Sequence, residues 1–120
     1  MAPFADSLRE VAARVSETQV LMLMGTDGIP IERLVVRADP NLEAIAAEFT
    51  TLLRASVSAA GDTGLGALLE LCVVTEKMTA LLVGITAEYF LFAALEPGAL
   101  IGRARFALRL AGLSLEREFR

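Results

Sequence analysis

Apolar positions change their spacing along this chain, and each change marks an element. From Phe4 to Thr18 the residues Phe4, Leu8, Val11, Ala12 and Val15 recur at helical spacing, with Glu10 four positions ahead of Arg14 on the outer side. The run QVLMLMG, Gln19 to Gly25, is short and apolar on both faces, which predicts a central strand with Met22 and Met24 as core filling. Gly25-Thr26-Asp27-Gly28 comes next. Asp-Gly is favoured in a tight hairpin whose two central residues both need φ > 0, so this run reads as a bend between strands and not as a ligand loop. Pro30 cannot donate to a sheet ladder, so PIERLVV is expected to begin at a sheet edge.

Asp39-Pro40 reads as a capping acid ahead of a proline in the first helical turn. The helix it opens, Asn41 to about Ala60, carries Leu42, Ile45, Phe49, Leu52 and Leu53 as a stripe for the core. A neighbouring stripe of Ala44, Glu48, Thr51, Ala55 and Ser58 is mostly small. Small residues there either let a second helix approach closely or simply face solvent, and both readings stand. GDTGLG, Gly61 to Gly66, stops the helix as a flexible link; it lacks the Lys-Ser/Thr and the strand-to-helix setting of a phosphate loop. Three strand-like runs follow with no helix between them: ALLELCVVTE, MTALLVGI and YFLFAAL. Short breaks at Glu76-Lys77 and Thr86-Ala87-Glu88 imply an antiparallel meander. After Pro97-Gly98 a last helix, about Ala99 to Glu116, aligns Leu100, Ala104, Leu108, Ala111 and Leu115 on one face. Its arginines Arg103, Arg105 and Arg109 fall mainly elsewhere, as a solvated face or as ion-pair partners.

A hairpin and a meander make one sheet by joining along one strand each. If the doubly apolar Gln19–Gly25 strand meets the last meander strand, the free edges are Pro30–Val36 and Leu68–Glu76. The first is guarded by Pro30, Glu32 and Arg33. From Leu68 to Thr75 the second holds one acid, Glu70, and no lysine, proline or glycine, and a long apolar edge of that kind aggregates unless something pairs with it. The same strand of a second copy, antiparallel across a two-fold axis, would complete a ten-stranded sheet and set the small-faced helices side by side.

Composition narrows the classes. A hydrophobic content of 55% is high for 120 residues and points to apolar surface held for a partner. Glu70, Glu76, Lys77, Glu88 and Glu96 interrupt the richest region, so no membrane insertion is expected. MAPFADSLRE has no basic patch before an apolar run, which argues against a secretory signal, and a lone Cys72 fits a reducing cytoplasm. A net charge of −4 argues against nucleic acid. With no histidine, scattered carboxylates, and Glu116 and Glu118 on a terminus expected to fray, no catalytic residues emerge and no metal or cofactor is expected. Cys72 reads as a structural thiol.

The stretches GTDGIPIERL, NLEAIAAEFTTLL, LLELCVVTEKMTALLVGI and YFLFAALEPGALIGRARFAL, in this order and spacing, resemble the roadblock/dynein-light-chain superfamily. The similarity is strongest to its bacterial, MglB-like regulators of Ras-like GTPases. Gly102-Arg103-Ala104-Arg105 is close to that family's Gly-x-x-Arg. The resemblance implies an α+β fold, an αββαβββα roadblock (profilin-like) sandwich in one domain over residues 1–120, with a five-stranded antiparallel sheet and helices on both faces. It implies a homodimer through the Leu68–Thr75 strand and the Asn41–Ala60 helix, with Ala44, Leu69, Glu70, Leu71, Cys72, Val73 and Val74 in the interface. It also implies that a small Ras-like GTPase docks on the paired helices, at Ala47, Glu48, Thr51, Arg54, Ala55 and Ser58. Each of these is otherwise an ordinary exposed helix position. Gly102 is expected to let the last helix pack closely on the sheet, and Arg105 to order that helix. The chain closes at Arg120 without the C-terminal extension some such regulators carry, so that extension's functions are not expected.

Two other classes stay in view. One is a dimeric scaffold subunit without effect on hydrolysis. The other is a small-ligand sensor, for which Thr79, Cys72 and Tyr89 are the polar candidates inside a cavity.

Overall fold

Hydrophobic alternation and strand length decide the layers. The structure, a computed structural model, describes residues 3–37, 39 and 41–119. Its elements are α1 (Pro3–Arg14), β1 (Thr18–Gly25), β2 (Pro30–Val35), α2 (Leu42–Asp62), β3 (Glu70–Val74), β4 (Thr79–Gly84), β5 (Tyr89–Leu95) and α3 (Ile101–Glu116), then a 3₁₀ turn at Arg117–Phe119. The strands form one antiparallel sheet in the order β2-β1-β5-β4-β3. The hairpin and the meander meet through β1 and β5, as the doubly apolar strand requires.

The runs that are apolar on both faces occupy the middle. β1, β5 and β4 are buried along almost their whole length, whereas β2 alternates and β3 is half-buried. Two cores result. Leu21, Leu23, Leu81, Leu91 and Ala93 point to one face and meet Leu8, Val11 and Val15 with Ala104, Leu108 and Leu115 of α3. Val20, Met22, Leu82, Phe90 and Phe92 point to the other face and meet α2 through Leu42, Ala46 and Leu53. The helices therefore cover both faces of the sheet, two on one side and one on the other.

Several local expectations are revised. α1 ends at Arg14, and Val15 leads straight into β1 through the bond from Thr18 N–H to Val15 O. Its outer ion pair joins Arg9 to Asp6. The hairpin does not use φ > 0 at both Asp27 and Gly28: only Gly28 is positive, at φ 91°. Gly28 N–H closes a turn onto Gly25 O, the Asp27 carboxylate accepts from Ile29 N–H, and the β1–β2 register shifts between Leu23 and Met24. That is a type I turn with a bulge residue, the other common solution for a short hairpin. A Cβ on Gly25 would stand 2.5 Å from the folded-back Asp27 Oδ1, so a side chain there would displace that carboxylate from Ile29 N–H.

At the start of α2 the N-cap position belongs to Asn41, not Asp39, and its side chain makes no cap bond. Asp39 Oδ1 instead accepts from Asn41 N–H at 2.7 Å. The Pro40 reading lies outside the described residues. α2 runs on through Gly61 and Asp62 before Gly64, at φ 74°, turns the chain. In α3 the expected core residue Leu100 precedes the helix and is exposed. The C-terminus does not fray at its last aromatic: Phe119 stacks on Tyr89 at 4.0 Å and on Phe4 at 5.4 Å.

Candidate functional site

β3 is an edge because the meander ends there, and its outer side has no strand neighbour. The flanking bonds set which groups face outward. Thr75 N–H donates to Met78 O and Gly84 N–H to Leu69 O, and the register places Leu71 opposite Leu82 and Val73 opposite Ala80. In an antiparallel pair the bonded residues alternate, so Leu71 and Val73 bond to β4. The backbone groups of Glu70, Cys72 and Val74 point away from the sheet. The side chains along this edge are apolar: Leu69 is 63% and Val74 65% exposed, with Leu71, Cys72 and Val73 half-buried.

The one acid of this edge offers little protection. Glu70 is turned to the α3 side, where Arg105 Nε donates to both its oxygens at 2.8 and 2.7 Å. Arg109 Nη2 reaches the same carboxylate at 3.2 Å. The carboxylate is consumed inside the subunit, and Arg105 anchors α3 to β3 as expected.

Beside this edge lies α2. Ala44, Ala47, Glu48, Thr51, Arg54, Ala55 and Ser58 are all exposed, forming one small-residue face. The rotation of α2 differs from the apolar stripe expected of it. Leu52, assigned to the core, is 41% exposed, while Thr50 is buried and satisfied by donating to Ala46 O at 2.8 Å. Ile45 and Phe49 are partly buried against the sheet. Leu52 and Val57, at 46% exposure, thus add apolar area to the outer face. Arg54 neither projects freely nor meets an acid: its Nη1 donates to Thr26 O at 3.0 Å, tying α2 to the hairpin.

A cleft of about 360 Å³ continues this surface between Leu53, Val57, Leu68, Ile85 and Phe90. It is open and apolar. The three polar candidates for a ligand cavity do not converge. Thr79 pairs with Leu95 at one end of β5 and Tyr89 starts the other end, about 20 Å away at strand rise. Among the described residues no group of three or more His, Cys, Asp or Glu is placed to hold a metal ion.

Gly102 does not serve close packing. It is exposed, and a Cβ there would meet nothing within 4 Å. The buried small residues of α3 are Ala104, Ala107, Ala111 and Gly112, and a Cβ on Gly112 would meet Ile85 at 4.0 Å. Two features escaped the sequence reading: the double claim of Arg105 and Arg109 on Glu70, and an exposed line of Phe106, Leu110 and Leu113 on α3. The second was readable, since those residues repeat at helical spacing opposite the buried stripe.

No family model matches the sequence, and no curated protein sequence matches it. Solved structures do. The gliding protein MglB of Thermus thermophilus superposes with a TM-score of 0.85 at 16% identity, covering 96% of this chain and 87% of that one. A roadblock/LC7 domain from Streptomyces avermitilis gives 0.79 at 17% identity over 91% of each chain. The fold is that of the roadblock/LC7 domain. MglC of Myxococcus xanthus gives 0.72 at 25% identity, covering 97% of this chain and 98% of that one. The roadblock fold places β3 at the sheet edge and α2 alone on its face, so the apolar edge and the small-residue helix form one continuous surface. No helix among the described residues is long and apolar enough to cross a membrane.

Proposed function

We propose that this single roadblock domain is a homodimeric regulatory partner of a small Ras-like GTPase, acting in the cytoplasm without catalytic residues or a cofactor of its own. The observation that carries the reading is the unguarded β3 edge lying next to the exposed small-residue face of α2. Outward amides at Glu70, Cys72 and Val74 invite a second antiparallel β3, with Leu69, Leu71, Val73 and Val74 packing across the two-fold axis. Ala44 then sits where the two α2 helices meet. Ala47, Glu48, Thr51, Arg54, Ala55 and Ser58 form the doubled platform on which the GTPase docks. The fold likeness to MglB and MglC, with the sequence resemblance to MglB-like regulators, supports this class of partner. GTP hydrolysis is limited by placing a water and stabilising charge, so a rigid surface that repositions the GTPase's own groups accelerates it with no inserted side chain.

The alternative is a dimeric scaffold that binds without activating. Arg54, the only base on α2, is tied to the Thr26 carbonyl, which bears on an inserted arginine that neither reading uses. Two measurements separate the readings. Sedimentation at micromolar concentration reports a dimer; a stable monomer defeats the whole proposal. Where a neighbouring reading frame encodes a Ras-like GTPase, single-turnover GTP hydrolysis by that GTPase, with and without the protein, then tests activation. An unchanged rate despite measurable binding leaves the scaffold.

A further inference from the structure

We propose that the outer face of α3 is a second docking surface, one that takes an acidic amphipathic helix of a partner protein. Phe106 is 63%, Leu110 40% and Leu113 61% exposed, spaced i, i+4, i+7 along two turns and turned away from the buried Ala104, Leu108 and Leu115. Phe106 and Leu110 belong neither to the β3 edge nor to the α2 platform, Leu113 borders the edge by sharing a depression with Leu69, and α3 lies on the opposite face of the sheet from α2. The inference therefore does not depend on the GTPase reading.

The surroundings choose the occupant. α1 runs antiparallel to α3, as the Phe4–Phe119 stack at 5.4 Å requires, so Arg14 comes down beside the first turns of α3. Arg14, Glu10, Ala107 and Leu110 line a shallow groove between the two helices. Arg103 lies on the same flank, one turn before Phe106, and neither it nor Arg14 has an ion-pair partner among the described residues. On the other flank, Arg109, Leu113 and Glu116 line a depression with Ile85 and with Leu69 of the β3 edge, and Arg105 and Arg109 share the single carboxylate of Glu70. The end of the stripe at Phe106 is thus flanked by two unpaired arginines on a chain of net charge −4, and the α3 N-terminus adds its positive dipole end. Glu10 lines the same groove as Arg14 and Leu110, one turn further along, and Glu116 lies beside Leu113, so the positive charge is confined to the Phe106 end.

A helix fits the shape. Two antiparallel helices side by side offer a groove for the ridge of a third, and a stripe two turns long matches anchors at i and i+4 on the incoming helix. Its acidic turn lies over Phe106 and Arg103. An anionic membrane fits less well, because such surfaces select clusters of about four to eight bases, and among the described residues the unpaired bases at the Phe106 end are the two arginines Arg14 and Arg103. A second copy docked α3 on α3 would bring together two stripes with the same arginine rims.

The test uses the full chain and a fluorescein-labelled synthetic helix, with leucines along one face and glutamates on both flanks, read by anisotropy. A control peptide replaces every glutamate by lysine, and phosphatidylglycerol vesicles form a third arm. The acidic peptide is expected to bind, and either Phe106→Ser with Leu113→Ser or Arg103→Glu alone to weaken it about ten-fold, equivalent to about 1.4 kcal/mol. All three changes are at exposed positions, and circular dichroism verifies the fold. The proposal is overturned by failure of the acidic peptide to bind, by equal binding of the lysine peptide, or by binding that ignores both variants. It is equally overturned if only vesicles bind, or if the serine pair abolishes self-association while peptide binding is untouched.

Discussion

β2 and β3 hold the same position in the sheet, each with a neighbour on one side only, yet their chemistry is opposed. β2 starts with Pro30, displays Arg33 in an ion pair with Glu43 of α2, and alternates between half-buried and exposed side chains. β3 displays Leu69 and Val74, and its only charged side chain is drawn inward by two arginines of α3. Two edges equal in topology therefore differ in what they tolerate. A guarded edge repels a second strand; an unguarded one is stable in water only when paired. The difference shows that exposure alone does not mark a surface for a partner. What matters is whether the edge carries the charges and prolines that prevent pairing.

The largest effect should come from moving the guard across. Leu69→Lys with Val74→Lys places two charges on the β3 edge at positions already exposed, so the fold is retained while self-association is lost. Sedimentation would show a monomer with an unchanged circular dichroism spectrum. A persistent dimer would mean that β3 is not the pairing edge. The converse change strips β2: Arg33→Val with Glu32→Val should open a second sticky edge, read as concentration-dependent species larger than the dimer in light scattering.

Smaller effects test how β3 is held. Glu70→Ala releases Arg105 and Arg109, both more than two-fifths exposed, and should cost about 1 kcal/mol in urea unfolding, since half-exposed ion pairs are screened by solvent. It should also raise amide exchange along β3 more than along β2. Arg54→Ala removes the bond to Thr26 O and should cost about 0.5–1.5 kcal/mol, loosening the hairpin against α2. The smallest change is a gain. Gly102→Ala, with open space where the methyl goes, should stabilise by about 0.5–1 kcal/mol and leave association at both edges untouched.

Most of the fold was legible because its signals are local. Strands apolar on both faces belong in the middle of a sheet, and Gln19–Gly25 and Tyr89–Leu95 could be buried only by placing them next to each other. Breaks too short for a crossover helix left the meander no other arrangement. The candidate surface was legible to the same extent: an edge strand without gatekeepers and a helix with small outer residues are both written in residue types. Details of α2 were not. Whether Leu52 or Thr50 turns inward depends on how far the helix rolls on Phe90, Phe92 and Met22, a difference of a fraction of a turn that the stripe does not resolve. The hairpin's residues point to the wrong turn type because Asp-Gly serves two of them, and in the one adopted Gly28 alone takes φ > 0.

Residue order by itself determined the sequence of elements, the pairing of hairpin with meander, and which edge lies bare, because each follows from the period of apolar residues and from where proline and charge stand. Only the tertiary structure decided that Glu70 is spent on Arg105 and Arg109, that Arg54 is held by Thr26, and that Gly102 packs against nothing. The ion pairs and the Arg54 bond join residues 28 to 39 positions apart. Their existence rests on the angles at which helices settle on a twisted sheet, and those angles are set by the fit of many side chains at once.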